Sequence, residues 1–142
     1  MKLILTILTL SLALFATEPD FTNDYNKALK KAKLENKDVY MLITSESCGW
    51  CRKFELITLN NKKAMDILKK NFVLLHITRD KDYMPDKFVA KRVPKHYFLT
   101  KDEQVIYSVL GYWNPEDFTS FIDEAKKRKK ELRKYIDIRT NK

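Results

Sequence analysis

The chain has 142 residues, 28 of them Lys or Arg against 19 Asp or Glu, and a formal charge of +9 at neutral pH. With 33% charged residues, 12% aromatics, four Pro, two Gly and two Cys, it is neither collagen-like, low-complexity nor a disulfide-framework protein. That length fits one domain with its own hydrophobic core and leaves no room for two. Residues 1–16 (MKLILTILTLSLALFA) carry twelve apolar side chains and one charge, Lys2. A positive start and a short apolar run ahead of Glu18-Pro19-Asp20 form a secretory signal pattern, and at 1.5 Å per residue the run spans roughly 21 Å, too short for a stable membrane span. Export would place both thiols outside a reducing cytosol.

From Phe21 to Lys37, apolar residues at Phe21, Tyr25, Ala28, Ala32 and Leu34 recur at near-helical spacing, predicting an amphipathic helix. Val39–Ile43 and Phe72–Ile77 are short apolar runs of the kind found in strands covered on both faces. Between them, the stretch after Cys48 reads helical, and a second helical piece, Lys62–Asn71, follows a break at Asn60-Asn61. Arg79–Asp86 reads as a loop and Lys87–Arg92 as at most a short helix. Two strand-like runs, His96–Thr100 and Gln104–Leu110, have hairpin spacing. A closing helix is capped by Asn114, with Pro115 at its first position and Glu116 and Asp117 complementing its positive end.

Cys48-Gly49-Trp50-Cys51 follows a predicted buried strand and opens a predicted helix. There, free backbone N–H groups and the helix dipole favour negative charge, so the first thiol should ionise more readily than the reference value of about 8.5 and supply the attacking thiolate. Three residues of helix bring the second sulfur to the same face, where it can displace a partner bound to Cys48. Gly49 allows close approach and Trp50 offers an apolar surface. A structural bridge over so small a loop would remove little chain entropy. Zinc needs about four ligands, and His76 and His96 lie far apart in sequence. Two sulfurs and one histidine would suit Cu(I), so a copper-binding or delivery module stands beside redox exchange.

A C-x-x-C after a strand, in this order of elements, resembles the thioredoxin fold. The segments DYNKALKKAKLENKDVYMLI and NFVLLHITRD and the pair Gly111-Tyr112 are similar to exported thioredoxin-like proteins related to the C-terminal domain of the periplasmic protein DsbD. The resemblance implies an α/β thioredoxin fold, a central mixed sheet flanked by helices, over residues 17–127 between a signal peptide (1–16) and a basic helical extension (128–142). It further implies a monomeric periplasmic thiol-disulfide oxidoreductase without bound cofactor or metal, reducing in preference to oxidising. Cys48 and Cys51 would be catalytic, Gly49, Trp50, Val93 and a cis Pro94 would meet the substrate, and a periplasmic or membrane redox partner would reset the pair. The buried carboxylate that thioredoxins carry six residues before the first cysteine is here Leu42. His76 falls where thioredoxins often place a lysine; it reads either as a packed core histidine or as a proton carrier.

Lys126–Lys134 (KKRKKELRK) contains seven basic residues and one acidic, extending the closing helix. Leu132, Tyr135, Ile136 and Ile138 make the extension partly amphipathic, which suits a solvated face, an anionic membrane surface or an acidic partner. Nucleic acid is not expected, because no basic groove interleaved with aromatics is evident.

Overall fold

The two uninterrupted apolar runs form the centre of a sheet. In the computed structural model, which describes residues 20–140, β2 (Asp38–Thr44) is buried along its whole length and pairs in parallel with β3 (Phe72–Thr78), Val39 opposite Val73 and Leu42 opposite His76. On its other side β2 pairs antiparallel with β4 (Lys95–Leu99), which forms a hairpin with β5 (Val105–Leu110). A two-residue strand, β1 (Phe21–Thr22), completes the order β1-β3-β2-β4-β5, a mixed sheet as expected.

Alternation along the strands divides the core into two layers. Val39, Met41, Ile43, Val73, Leu75 and Ile77 meet Tyr25, Ala28 and Ala32 of α1 (Tyr25–Glu35). Tyr40, Leu42, Leu74 and Phe98 point the other way, towards Phe54 of α2 (Gly49–Phe54), Leu68 of α3 (Lys62–Asn71) and Phe118, Ile122 and Ala125 of α4 (Pro115–Thr140). Each large apolar side chain enclosed in this way contributes about 1.5–3 kcal/mol relative to exposure. Covering both faces explains why the central strands show no polar alternation.

Three predicted boundaries differ. The first helix begins at Tyr25 rather than Phe21, because the Asp24 carboxylate accepts from the Lys27 N–H and caps it there. Phe21 and Thr22 instead pair with Leu74 and Leu75, and Phe21 sets its ring edge-on to Tyr40. In place of a short helix over Lys87–Arg92 there is one 3-10 turn, Asp86–Phe88, which buries Phe88 against Tyr25 and Tyr97. After α2 the chain continues through a π-helical stretch, Glu55–Leu59, before the expected break, where the Asn61 side chain caps α3 by accepting from the Ala64 N–H at 3.0 Å. Helix α4 runs unbroken for 26 residues through the expected start of the basic extension at 128. The signal-peptide reading of residues 1–16 lies outside the described residues.

Candidate functional site

Strand β2 delivers the chain to the turn Ser45–Ser47, and Cys48 caps α2 with extended backbone (φ −89°, ψ 101°). The two sulfurs form a disulfide, with Cα atoms 5.2 Å apart. Cys48 Sγ accepts from the Cys51 N–H at 3.1 Å, so a free amide of the helix's first turn points at the sulfur expected to carry charge. Cys48 is partly exposed whereas Cys51 is only 2% exposed. The pair therefore presents one sulfur to an incoming partner and holds the other inside. A Cβ on Gly49 would meet nothing within 4 Å, so glycine here leaves open space beside the sulfur and is not required by packing.

Trp50, 60% exposed, tilts against Tyr112 with ring centroids 5.9 Å apart. The Lys53 ammonium lies 5.0 Å from the first ring and 4.7 Å from the second, a cation–π arrangement that holds both rings beside the disulfide. Val93 and Pro94 are joined by a cis peptide bond; Val93 is half-buried and Pro94 buried. Since Ile43 pairs with Lys95 antiparallel, Pro94 falls opposite Thr44, at the end of β2 that leads into Cys48.

The Pro94 carbonyl accepts from the Gly111 N–H at 2.8 Å, and Gly111 has φ +98°, a conformation that favours glycine. Its carbonyl accepts from His96 Nε2 at 2.9 Å, and His96 Nδ1 accepts a hydrogen bond from the Tyr40 hydroxyl at 2.8 Å. A carbonyl only accepts, so the tautomer follows: hydrogen on Nε2, lone pair on Nδ1. His96 is enclosed by Phe54 and Phe118, and burial pushes its pKa down to about 4. This chain of bonds ties the Pro94 loop to the core.

His76 occupies a more open place. Its Nε2 is hydrogen-bonded to the Thr44 hydroxyl at 2.8 Å and lies 3.6 Å from Glu55 Oε1, and about a third of its side chain is exposed. Burial lowers its pKa, while Glu55 and Asp82 pull it back up. Glu55 lies four residues after Cys51, on the same side of the continuing helix, so His76 reaches the redox helix through a carboxylate. Neither Glu55 nor Thr44 stood out in the sequence; the i, i+4 spacing from Cys51 was the available signal. Lys53 lies three residues after Trp50, within one turn of helix, and Tyr112 was readable only through its family likeness. Among the described residues no group of three or more His, Cys, Asp or Glu could hold a metal ion, and both ring nitrogens of His96 are engaged in hydrogen bonds.

Known proteins are similar to this chain in sequence or in fold. Rat spermatogenesis-associated protein 20 is 31% identical over 100 residues, which cover 64% of this chain but only 12% of that protein. A putative disulphide-isomerase from Bacteroides thetaiotaomicron superposes with a TM-score of 0.65 at 18% identity, covering 74% of this chain and 88% of its own. The reduced C-terminal domain of DsbD from Neisseria meningitidis gives 0.59 at 17% identity, covering 70% and 92%. Residues 25–126 match the family model described as a thioredoxin-like domain, a span running from the first residue of α1 into α4 and enclosing both cysteines and Pro94. The chain thus belongs to the thioredoxin-like domain family and carries within that domain a Cys48–Cys51 disulfide.

Proposed function

We propose that this chain is an exported, periplasmic thiol-disulfide oxidoreductase that reduces disulfides in client proteins. The observation that carries this reading is the asymmetry of the pair: an accessible sulfur at a helix start, bonded to a buried one three residues on. The reducing direction rests on the likeness to the DsbD domain, and export on the apolar leader, residues 1–16.

In the reduced protein the Cys48 thiolate attacks one sulfur of a client disulfide. A Cys48–client bond forms and the second client sulfur leaves as a thiolate. Cys51 then gives up its proton and attacks Cys48 Sγ; the intramolecular disulfide closes and the first client sulfur departs. The client has gained two electrons and the pair has lost them, so a dithiol redox partner must restore it before the next turnover. Trp50, Tyr112 and Lys53 form a rigid platform for the client beside Cys48, and Gly49 leaves room for its backbone. Val93, through its backbone, and Pro94 complete the client surface. His76 with Glu55, which lies four residues past Cys51, is the proton-carrying pair of this reading, in place of the carboxylate absent at Leu42.

A Cys51→Ala variant tests the reading: clients should accumulate as mixed disulfides through Cys48, and the double variant lacking Cys48 should trap none. Stoichiometric Cu(I) uptake without trapped clients would replace redox exchange with metal delivery. Equilibration of the pair with glutathione tests direction, and a potential near that of a strong oxidant would reverse it.

A further inference from the structure

The end of the sheet remote from the disulfide carries a second surface. Strands β2 and β3 both begin there, at Asp38 and Phe72, which pair with each other. Strand β2 runs seven residues from Asp38 to Thr44, roughly 20 Å at the rise of a β-strand. The basic half of α4 crosses this end, pinned by the Lys129 ammonium bonded to the Asp38 carboxylate. Between α4 and the adjoining ends of α1 and α3 lies an open groove of about 400 Å³, whose lining includes Lys37, Lys70, Lys126, Lys129, Lys130 and Arg133.

The neighbouring carboxylates do not neutralise these six cations. Glu35 pairs with Lys37, Asp38 with Lys129 and Asp123 with Lys126, while Lys70, Lys130 and Arg133 have no carboxylate partner among the described residues. Concentrating like charges in one concavity is unfavourable unless an anion answers it. Beyond the groove the same helix exposes Tyr135, Ile136 and Ile138, at 58%, 37% and 61%. Residues 127–140 lie past the matched family domain, so the matched domain does not account for this second half of the helix.

We propose that this groove and the end of α4 form a peripheral docking surface for an anionic phospholipid membrane. Lys70, Lys130 and Arg133 bind lipid phosphates, and the exposed apolar residues of the last turns enter the interfacial layer. Clustered cations followed by exposed apolar side chains in the last turns of one helix are a combination that such interfaces select, whereas a soluble phosphate would have no use for those apolar side chains. Docked by this end, the protein holds Cys48 at the far side of the sheet, free to meet soluble clients and membrane-held redox partners.

The test is co-sedimentation of the purified chain with vesicles of phosphatidylglycerol and phosphatidylcholine against vesicles of phosphatidylcholine alone. Binding is expected only to the anionic vesicles and should fall steeply with added salt. A K70Q/K130Q/R133Q variant should bind on the order of 100-fold more weakly. Cys48→Ala should bind like the unaltered chain, which separates this proposal from the redox reading. Insulin reduction by the triple variant should be unchanged, showing that the fold is intact. Equal binding to neutral vesicles, no binding to either, or retention by the triple variant would overturn the proposal. So would displacement by pyrophosphate at matched ionic strength, which would assign the groove to a soluble phosphate, or capture by an acidic polypeptide in the absence of vesicle binding.

Discussion

His76 and His96 lie in one row of the sheet, on either side of Leu42, and belong to the same face. Their surroundings make them different chemical groups. His96 is fully enclosed, spends both ring nitrogens on Tyr40 and Gly111, and is held neutral far below the usual histidine range. His76 sits at the open side of the row, with one nitrogen between the Thr44 hydroxyl and the Glu55 carboxylate. Burial lowers both, but only His76 has a facing carboxylate to restore its proton affinity. The lesson is that a histidine's chemistry is set by its shell: the closed shell makes a strut, and the half-open one leaves a ring available for the proton exchange proposed above.

The sharpest way to break this contrast is to open the closed shell. Phe54→Ala removes the ring packed 4.7 Å from His96 and should destabilise the protein by about 3–5 kcal/mol in urea unfolding. Next in size is the pH dependence of stability. Because folding lowers the His96 pKa from 6.5 to about 4, the unfolded chain takes the proton first; its contribution is complete above pH 6.5 and lost progressively as pH falls towards 4. The loss is about 3 kcal/mol in all, and the difference in unfolding free energy between pH 7 and 4.5 should shrink accordingly in His96→Phe. An unchanged slope in that variant would show that His96 is not the buried titrating group.

His76→Gln should leave thermal stability nearly untouched. It should nevertheless lower the rate of client reduction on the order of 100-fold, the low end for general acid–base catalysis, and flatten the acid limb of the pH-rate profile, since burial moves this ring below the ordinary histidine range. A parallel profile for variant and unaltered protein would return His76 to a structural role. Lys53→Ala bears on neither histidine and should have the smallest effect. Loss of the cation between Trp50 and Tyr112 should raise KM for protein clients about two- to fivefold without changing kcat, and glutathione exchange should be unaffected.

Much of this was legible from residue patterns alone, where strong local signals operate. The apolar runs marked β2 and β3, Asn114 marked the start of α4, and the spacing of Cys48 and Cys51 marked the redox pair. The losses were of two kinds. Strand β1 is too short to show any period, and its partner, Leu74-Leu75, lies about fifty positions along the chain, so only tertiary pairing creates it. The roles of His96 and Glu55 likewise come from long-range approach: Tyr40 reaches His96 from the neighbouring strand, and Glu55 meets His76 from a helix. The groove at the far end of the sheet depends on α4 lying beside the ends of α1 and α3, and α4 alone showed its charge but not the concavity.

The measurement that bears most directly on the central claim is competitive alkylation of the reduced protein at neutral pH, with each adduct located by mass spectrometry. A partly exposed cysteine at the helix start and a buried one behind it should give a single fast adduct on Cys48, while Cys51 reacts only after unfolding. Equal labelling of the two, or faster labelling of Cys51, would contradict the assignment of attacking and resolving sulfurs.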